Sequence, residues 1–298
     1  MAQYLINLFR AHEQDAIEFV IPYYHELFKR LFQVDDISEI ENKTFSETYV
    51  KASKKHVRKI KRDKQFHVRF SDDPSKNEVI SSYVWDSDMF TAYTNFGKIR
   101  YDTVQAHGAL FNIYNRHFLK LVHETQTRHI DLEQLKSLLA SIKSEVKARI
   151  REFISSYPDM VKAAVEKLKQ AIETSPALDN KIVAFRGVYY RKDIPESRKY
   201  IEYLKSLNVG DKVGMEGFAS FSPTPVYSLK YFTAPTCCLI CVTIPKGTKM
   251  LYIPDDVEIV LWRPVLTITG KRTLNLDIDI PGRENEFTLQ VIDAKITS

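Results

Sequence analysis

The feature of the sequence that most constrains the fold is a change of hydrophobic pattern near residue 180. Before it, apolar residues recur at three- and four-residue steps, as they do from Leu132 to Phe153, which indicates amphipathic helices. After it come short segments rich in β-branched and aromatic residues, separated by Gly and Pro: IVAFRGVYY, GFASFS, CCLICVTI, KMLYI, EIVLW, VLTIT, LNLDIDI and FTLQVI. Helices first and strands later predict an α+β fold.

Polar segments divide the helical part. Apolar steps predict helices before residue 33, a long helix over 128–154 and a separate helix that opens at Ser156, with Pro158 in its first turn. The polar stretch 70–82 contains Pro74 and predicts a boundary. We therefore expect a helical N-terminal module of unknown role over residues 1–75 and a second domain over 76–298. One more helix, PESRKYIEYLKSL, is predicted among the strands.

Composition excludes several classes of protein. Hydrophobic residues make up 44% and charged residues 27% of the chain, as in a globular protein. The N-terminus lacks a basic start followed by an uninterrupted apolar run, so we expect no signal peptide and no membrane span. Cys238 and Cys241 have CxxC spacing without a second pair, so no metal is expected. Free thiols in an apolar strand suit a reducing, intracellular site of action.

The positive charge of the chain is concentrated in one segment. The net charge is +5, yet residues 51–64 alone carry eight Lys or Arg against one Asp. Such a run is typical of a solvated helix face. Its charge also suits an acidic protein surface or a nucleic acid as partner, although no aromatic residues alternate with the cations to form a stacking surface.

Polar side chains interrupt the predicted strands at two places. In GFASFSPTP the side chains alternate, so Ser220 and Ser222 share one face while Phe221 lies on the other. Two hydroxyls on one face suit an exposed edge or the wall of a polar cleft. Arg186 lies in AFRGV beside Gly187, which allows a close approach to the backbone. The guanidinium could bind two phosphate oxygens or form a salt bridge.

The order of four segments resembles a known enzyme family. IVAFRGV, VGDKVGMEGFASFSPTP, VTIPKGTKMLYI and DVEIVLWRPVLTI are similar, in order and spacing, to mono-ADP-ribosyltransferases of the arginine–serine–glutamate class, which include bacterial binary toxins and phage-encoded transferases. The resemblance covers about residues 82–298 and is strongest over 182–268. FTAYTNFGKIRYDTV resembles the tyrosine-containing helical stretch before the family's core. The implied core has two packed, mainly antiparallel β-sheets flanked by helices.

The resemblance implies an enzyme that transfers ADP-ribose from NAD to a protein side chain without a metal. It assigns six residues to the dinucleotide site: Arg186, Gly187, Ser220, Ser222, Tyr231 and Phe232. Arg186 would bind the phosphates. Ser220, the first of the family's Ser-x-Ser pair, would position the catalytic glutamate. Phe232, or Tyr231 beside it, would pack against nicotinamide.

Two sites compete for the catalytic glutamate. Glu258 directly precedes an apolar run, and the family's glutamate opens such a strand after the PKGT segment. Glu284 and Glu286 spell the family's literal Glu-x-Glu motif. The regular alternation of LNLDIDI before Pro281 and Gly282 indicates that this second motif lies at a hairpin tip. Position in the chain favours Glu258, and Glu286 with Glu284 is the alternative.

With Glu258 as the catalytic residue, Asp256 takes a position that is Glu or Gln in relatives. That position helps to engage the acceptor side chain, and arginine is the first expectation for the acceptor. The alternatives are a catalytically dead version of the fold that acts as an interaction module, an NAD glycohydrolase, and a nucleic-acid-binding protein built on the basic segment. The family also suggests delivery into a host cell as an effector, or a phage or viral origin.

Overall fold

The computed structural model describes most of the strand-rich part of the chain and several helices. The described residues are 29–33, 35, 44–68, 78–99, 101, 103, 105–106, 108–113, 116, 132–188, 195–225, 228, 238–277 and 286–297. Their contacts form two compact units, one of Met1–Val57 with Ile172–Ser298 and one of Arg58–Ala171. The predicted boundary at residue 75 lies outside the described residues and stays a prediction.

Helices dominate the part before residue 180, as the sequence predicts. The named helices there are α1 (Glu47–Arg62), α2 (Val79–Trp85), α3 (Ser87–Phe96) and α4 (Leu132–Glu173), with a short 3-10 helix at Lys64–Phe66. Carboxylates cap two of them: Glu78 accepts from the backbone amide of Ile80 at the start of α2, and Asp86 accepts from that of Met89 at the start of α3. None of the described helices is long and apolar enough to cross a bilayer.

Helix α4 corrects the prediction of two separate helices. It continues through Pro158 without a break. A proline cannot donate to the carbonyl four residues earlier, which here belongs to Ile154. The Tyr101 hydroxyl donates to that carbonyl at 2.9 Å and so replaces the missing bond. Tyr157, fully buried, packs its ring against Phe153 and Tyr101 at centroid distances of 5.0 and 5.4 Å. Tertiary contacts thus stabilise a helix that local sequence would end.

The strands form two sheets, which confirms the predicted α+β class. The strands are β1 (Ile182–Val188), β2 (Lys212–Gly214), β3 (Phe218–Phe221), β4 (Cys238–Ile244), β5 (Leu251–Ile253), β6 (Glu258–Trp262), β7 (Val265–Asp277) and β8 (Glu286–Thr297). One sheet has the order β1-β4-β8-β7-β2 and the other β3-β6-β5. Every pairing is antiparallel except that of β4 with β8. Helix α5 (Pro195–Ser206) lies between β1 and β2 in the chain.

Strand β7 corrects a second prediction, since VLTIT and part of LNLDIDI belong to one strand rather than two. The pairing with β8 continues past Gly270 through a register shift after Ile268. Glycine fits here because a Cβ at this position would lie 3.3 Å from a carboxylate oxygen of Asp293. Strand β2, whose Val213 pairs with Leu266, is three residues long and was not predicted from the sequence.

The start of α1 belongs to the hydrophobic core that the strands build. Tyr49 and Val50 are buried in the same cluster as Ile240, Ile259 and other strand residues. The ring of Phe45 lies 5.1 Å from that of Tyr49 and 4.4 Å from that of Tyr252. Ser46 accepts from the Tyr49 amide at 3.0 Å, so it caps the helix at this point. Residues assigned from sequence to an N-terminal module therefore help to form the strand-rich core.

Candidate active site

The two sheets meet at the middle of β1. Phe185 and Ser222 exchange two backbone hydrogen bonds of 2.7 Å each, although they belong to segments of different sheets. This bridge brings the next residue of β1, Arg186, beside β3. Arg186 donates from Nη1 to the backbone carbonyl of Ser220 at 2.9 Å. Arginine and serine, 34 positions apart in the chain, are therefore neighbours in the fold.

The pairing of β3 with β6 brings Glu258 to Ser220. Ser220 lies opposite Val260, and Glu258 is two residues from Val260 on β6. Residues two apart share a face of a strand, so the side chains of Ser220 and Glu258 lie diagonally across the pair. The Ser220 hydroxyl donates to Oε1 of Glu258 in a short hydrogen bond. Ala219 and Phe221, on the opposite face of β3, are buried in the core.

The carboxyl group of Glu258 is partly buried and lies near two charged residues, Asp256 and Arg186. Burial raises its pKa above the ordinary 4.5, and this effect outweighs the hydrogen bond from Ser220, which lowers the pKa. The negative charge of Asp256 raises the pKa further, whereas Arg186 lowers it. A carboxylate with a raised pKa is a stronger base than an exposed one, and it can ionise here because a hydroxyl and a guanidinium stabilise its charge.

The turn before Glu258 is strained. Residues Pro254–Val257 connect β5 to β6, and Val257 has a φ angle of 52°. A β-branched residue rarely adopts this left-handed conformation, which costs roughly 1–2 kcal/mol. The Val257 side chain is only 3% exposed, so its packing in the core can offset that cost. The turn therefore positions Asp256 and Glu258 on either side of the buried Val257.

Arg186 and Gly187 form a surface that suits a phosphate. Among the described residues, the Arg186 Nε is buried and has no hydrogen-bond partner, so a donor remains available. Gly187 packs against the backbone of Ser228, where a Cβ would lie 2.5 Å from the carbonyl oxygen. Any other residue at 187 would displace that backbone. The cationic fork of Arg186, with a donor that lacks a partner among the described residues, suits the phosphates of a dinucleotide, whereas the crowding at Gly187 comes from Ser228.

Sequence reasoning missed Tyr200, which the structure brings near Arg186 from α5. Burial raises the pKa of Tyr200, and the charge of Arg186 lowers it. The available signal was position: Tyr200 lies next to Ile201 and one helical turn before Leu204, both of which are buried. Aromatic residues on a buried helix face are common, so the sequence gives no reason to select this one.

The other predicted site residues fall in three groups. Ser222 is buried, and its hydroxyl accepts from the Thr224 amide at 3.3 Å, which stabilises the turn after β3. Tyr231, Phe232 and Glu284 lie outside the described residues, and their roles stay predictions. Glu286 opens β8, opposite Asp277 and in the five-stranded sheet. The predicted hairpin is thus present as the antiparallel pair β7–β8. Within the described residues, no three His, Cys, Asp or Glu are grouped as a metal site requires.

Comparisons with known proteins give structural likenesses only. No protein-family model matches the chain, and neither does any curated protein. Plx2a, an ADP-ribosyltransferase toxin from Paenibacillus larvae, is 20% identical with a TM-score of 0.34, over 47% of this chain and 72% of its own. The enzymatic component C2-I of the Clostridium botulinum C2 toxin is 18% identical with a TM-score of 0.33, over 57% and 44%.

A third structure is the ADP-ribosylating toxin BECa of C. perfringens with NADH, which is 9% identical with a TM-score of 0.48, over 84% of this chain and 47% of BECa. The chain thus spans less than half the length of C2-I and of BECa. These structures are bacterial ADP-ribosyltransferases, the family that the sequence resembles. Because each TM-score is below 0.5, the proposal that follows rests on the side chains of the site.

Proposed function

We propose that this protein is an NAD-dependent mono-ADP-ribosyltransferase that modifies a side chain of a target protein. The observation that carries the proposal is the hydrogen bond from Ser220 to the partly buried carboxylate of Glu258, with Arg186 bonded to the same serine. The site thus combines the carboxylate of Glu258, the hydroxyl of Ser220 that orients it, and the guanidinium of Arg186, whose Nε has no partner among the described residues. It is the set that cleavage of a nucleotide glycosidic bond needs.

Glu258 supplies the negative charge in this mechanism. Breaking the bond between nicotinamide and C1′ of the ribose leaves the electron pair on nicotinamide and positive charge on the sugar. A carboxylate held in place stabilises that charge without reorganisation when it develops. The hydroxyl of Ser220 fixes the orientation of Glu258. Arg186 binds the pyrophosphate with its guanidinium fork. Gly187, next to it, has no side chain that would obstruct the phosphates.

Arginine is the proposed acceptor. A guanidinium is protonated at neutral pH and must lose a proton to become a nucleophile, because its pKa exceeds 12. Its nitrogen forms the new bond to C1′ while the proton passes to the Glu258 carboxylate, whose raised pKa suits a general base. Asp256, two residues away and negatively charged, would attract the cationic acceptor into the site. Tyr231 or Phe232 would pack against nicotinamide.

Incubation with radiolabelled NAD and candidate target proteins tests the proposal. Glu258→Gln preserves shape and hydrogen bonding but removes the charge, so label transfer should fall about a hundredfold or more while NAD affinity changes little. Glu216→Gln is the matched control, because Glu216 is an exposed carboxylate of the same unit next to β3. Glu286→Gln tests the alternative catalytic residue.

The outcomes separate the rival functions. Loss of transfer in Glu286→Gln with an active Glu258→Gln would assign catalysis to the Glu-x-Glu motif instead. Release of nicotinamide without labelled protein, across a broad panel of targets, would make the protein an NAD glycohydrolase. NAD binding with neither reaction would indicate a catalytically inactive interaction module.

A further inference from the structure

Helix α1 divides sharply into a buried face and a cationic face. Tyr49, Val50, Ser53, Val57 and Ile60 are buried. The opposite side carries a row of four exposed cations, Lys51, Lys55, Arg58 and Arg62. Their spacing of four, three and four residues keeps them within roughly 60° of one another around the helix, over a length of about 16 Å. Exposed Lys54 and Lys59 flank the row.

Little negative charge on the helix offsets this row. The single acidic residue of α1 is Glu47, which forms an ion pair of 3.3 Å with Lys51, and both side chains are largely exposed. An exposed pair of this kind contributes little and is screened by salt. Among the ion pairs within the described residues, none involves Lys54, Lys55, Arg58, Lys59 or Arg62. The row therefore presents uncompensated positive charge to solvent.

The chemistry of the face selects among anionic partners. Helices that bind membrane surfaces insert an apolar face, but the apolar residues of α1 are already buried in the protein. Proteins that bind single strands stack bases on aromatic rings, and the row contains none. Protein interfaces centre on aromatic and Arg anchors that fill pockets, whereas the row combines two lysines with two arginines and contains no aromatic residue. A regular line of flexible cations matches the regular line of phosphates along a double helix, whose charges repeat every few ångströms.

We propose that the row Lys51, Lys55, Arg58 and Arg62 of α1 binds the phosphate backbone of double-stranded nucleic acid without reading its sequence. Each phosphate contact releases about 0.9 counterion equivalents. Four to six contacts, from the row and its flanking lysines, give a slope of about −4 to −5 in a plot of log K against log salt concentration. None of these residues belongs to the proposed transferase site, so duplex binding requires neither NAD nor Glu258.

Fluorescence anisotropy with labelled 20-base-pair DNA duplexes of unrelated sequence tests the proposal on the full chain. In the triple variant Lys55→Gln, Arg58→Gln and Arg62→Gln, affinity at low salt should fall more than tenfold, and the salt slope should become shallower by about 3. Glutamine has nearly the same helix propensity as Lys and Arg, so α1 should persist, which circular dichroism verifies.

The matched control removes the same charge from another helix. Lys143→Gln, Lys147→Gln and Arg151→Gln change three exposed positions of α4 at similar spacing. This control should retain most of the affinity and the slope. If the α1 and α4 variants lost duplex affinity equally, binding would depend only on the net charge of the protein, and the proposal would be overturned. It would also be overturned by the absence of duplex binding at 50 mM salt, or by tighter binding to anionic lipid vesicles or to poly-glutamate than to the duplex. Glu258→Gln should bind the duplex as the wild type does, so failure of the transferase proposal would leave this result unchanged.

Discussion

Replacing the proposed catalytic glutamate should make the folded protein more stable at neutral pH. The carboxyl of Glu258 is partly buried, and burial is the chief cause that raises its pKa above 4.5. Its ionised form is therefore less favourable in the folded state than in the unfolded chain. Glu258→Gln has nearly the same shape, can still accept the hydrogen bond from Ser220, and carries no charge at any pH. The variant that abolishes transfer should thus unfold at a higher temperature.

The size of the gain is a difference between opposing effects. A hydrogen bond from a hydroxyl to a carboxylate contributes about 1.5–3 kcal/mol, and one to a neutral amide oxygen about 0.5–1.5 kcal/mol. Because the pKa is raised despite the bond from Ser220 and the charge of Arg186, burial together with repulsion from Asp256 exceeds both effects. We expect a net stabilisation of about 0.5–2 kcal/mol. For a chain of this size, each kcal/mol raises Tm by about 2–4 °C.

The pH dependence gives the sharper test. A carboxyl with a raised folded-state pKa contributes its full stability below its unfolded pKa, near 4.5, and loses it as pH rises through the folded-state value. The Tm of Glu258→Gln should therefore exceed that of the wild type at pH 7–8, and the gap should close as pH falls toward 4.5. Glu216→Gln, an exposed control, should show little gap at any pH. A lower Tm for Glu258→Gln at pH 7–8 would contradict this expectation, since attraction to Arg186 would then outweigh burial.

The remaining predictions concern the neighbours of Glu258. Ser220→Ala removes a donor that lowers the Glu258 pKa, so the acidic limb of the pH profile of kcat/KM should move to higher pH. Ser222→Ala, whose hydroxyl accepts from Thr224, should move it far less. Arg186→Lys retains the charge but loses the fork, so KM for NAD should rise several-fold with kcat nearly unchanged, and a collapsed kcat at constant KM would contradict phosphate binding. A fragment of residues 76–298 lacks Tyr49 and Val50 of the strand core, so its midpoint of urea unfolding should be lower than that of the full chain.

Sequence reasoning predicted best the features that local pattern determines. Alternation along GFASFS gave the face that carries Ser220, and the apolar run after Glu258 gave the strand that it opens. The first follows from a two-residue period and the second from a continuous apolar run, and a single strand contains each pattern in full. The α+β class followed in the same way from periodicity. By contrast, the contact of Arg186 with Ser220 depends on the bridge between Phe185 and Ser222, which joins segments far apart in the chain.

Tertiary contacts explain the predictions that failed. Pro158 indicated a helix start, but the hydroxyl of Tyr101 satisfies the carbonyl that the proline leaves free, so α4 continues. Gly270 indicated a strand end, but β8 pairs on both sides of it and Asp293 occupies the space of its missing side chain. In each case a partner distant in sequence reverses a local preference. Tyr200 was missed for a related reason, since its neighbour Arg186 lies on another element.

Three local costs coincide around Glu258, and their coincidence supports a functional role. Val257 adopts a left-handed conformation that a β-branched side chain disfavours, and Glu258 holds a charge that burial penalises. Arg186 keeps a buried Nε that has no partner among the described residues. A sequence optimised for stability alone would remove the last two of these with one substitution each, by glutamine at 258 or an apolar residue at 186. Proteins retain such costs where a ligand or a reaction uses them, because binding then satisfies the unpaired donor and the fixed charge stabilises a transition state.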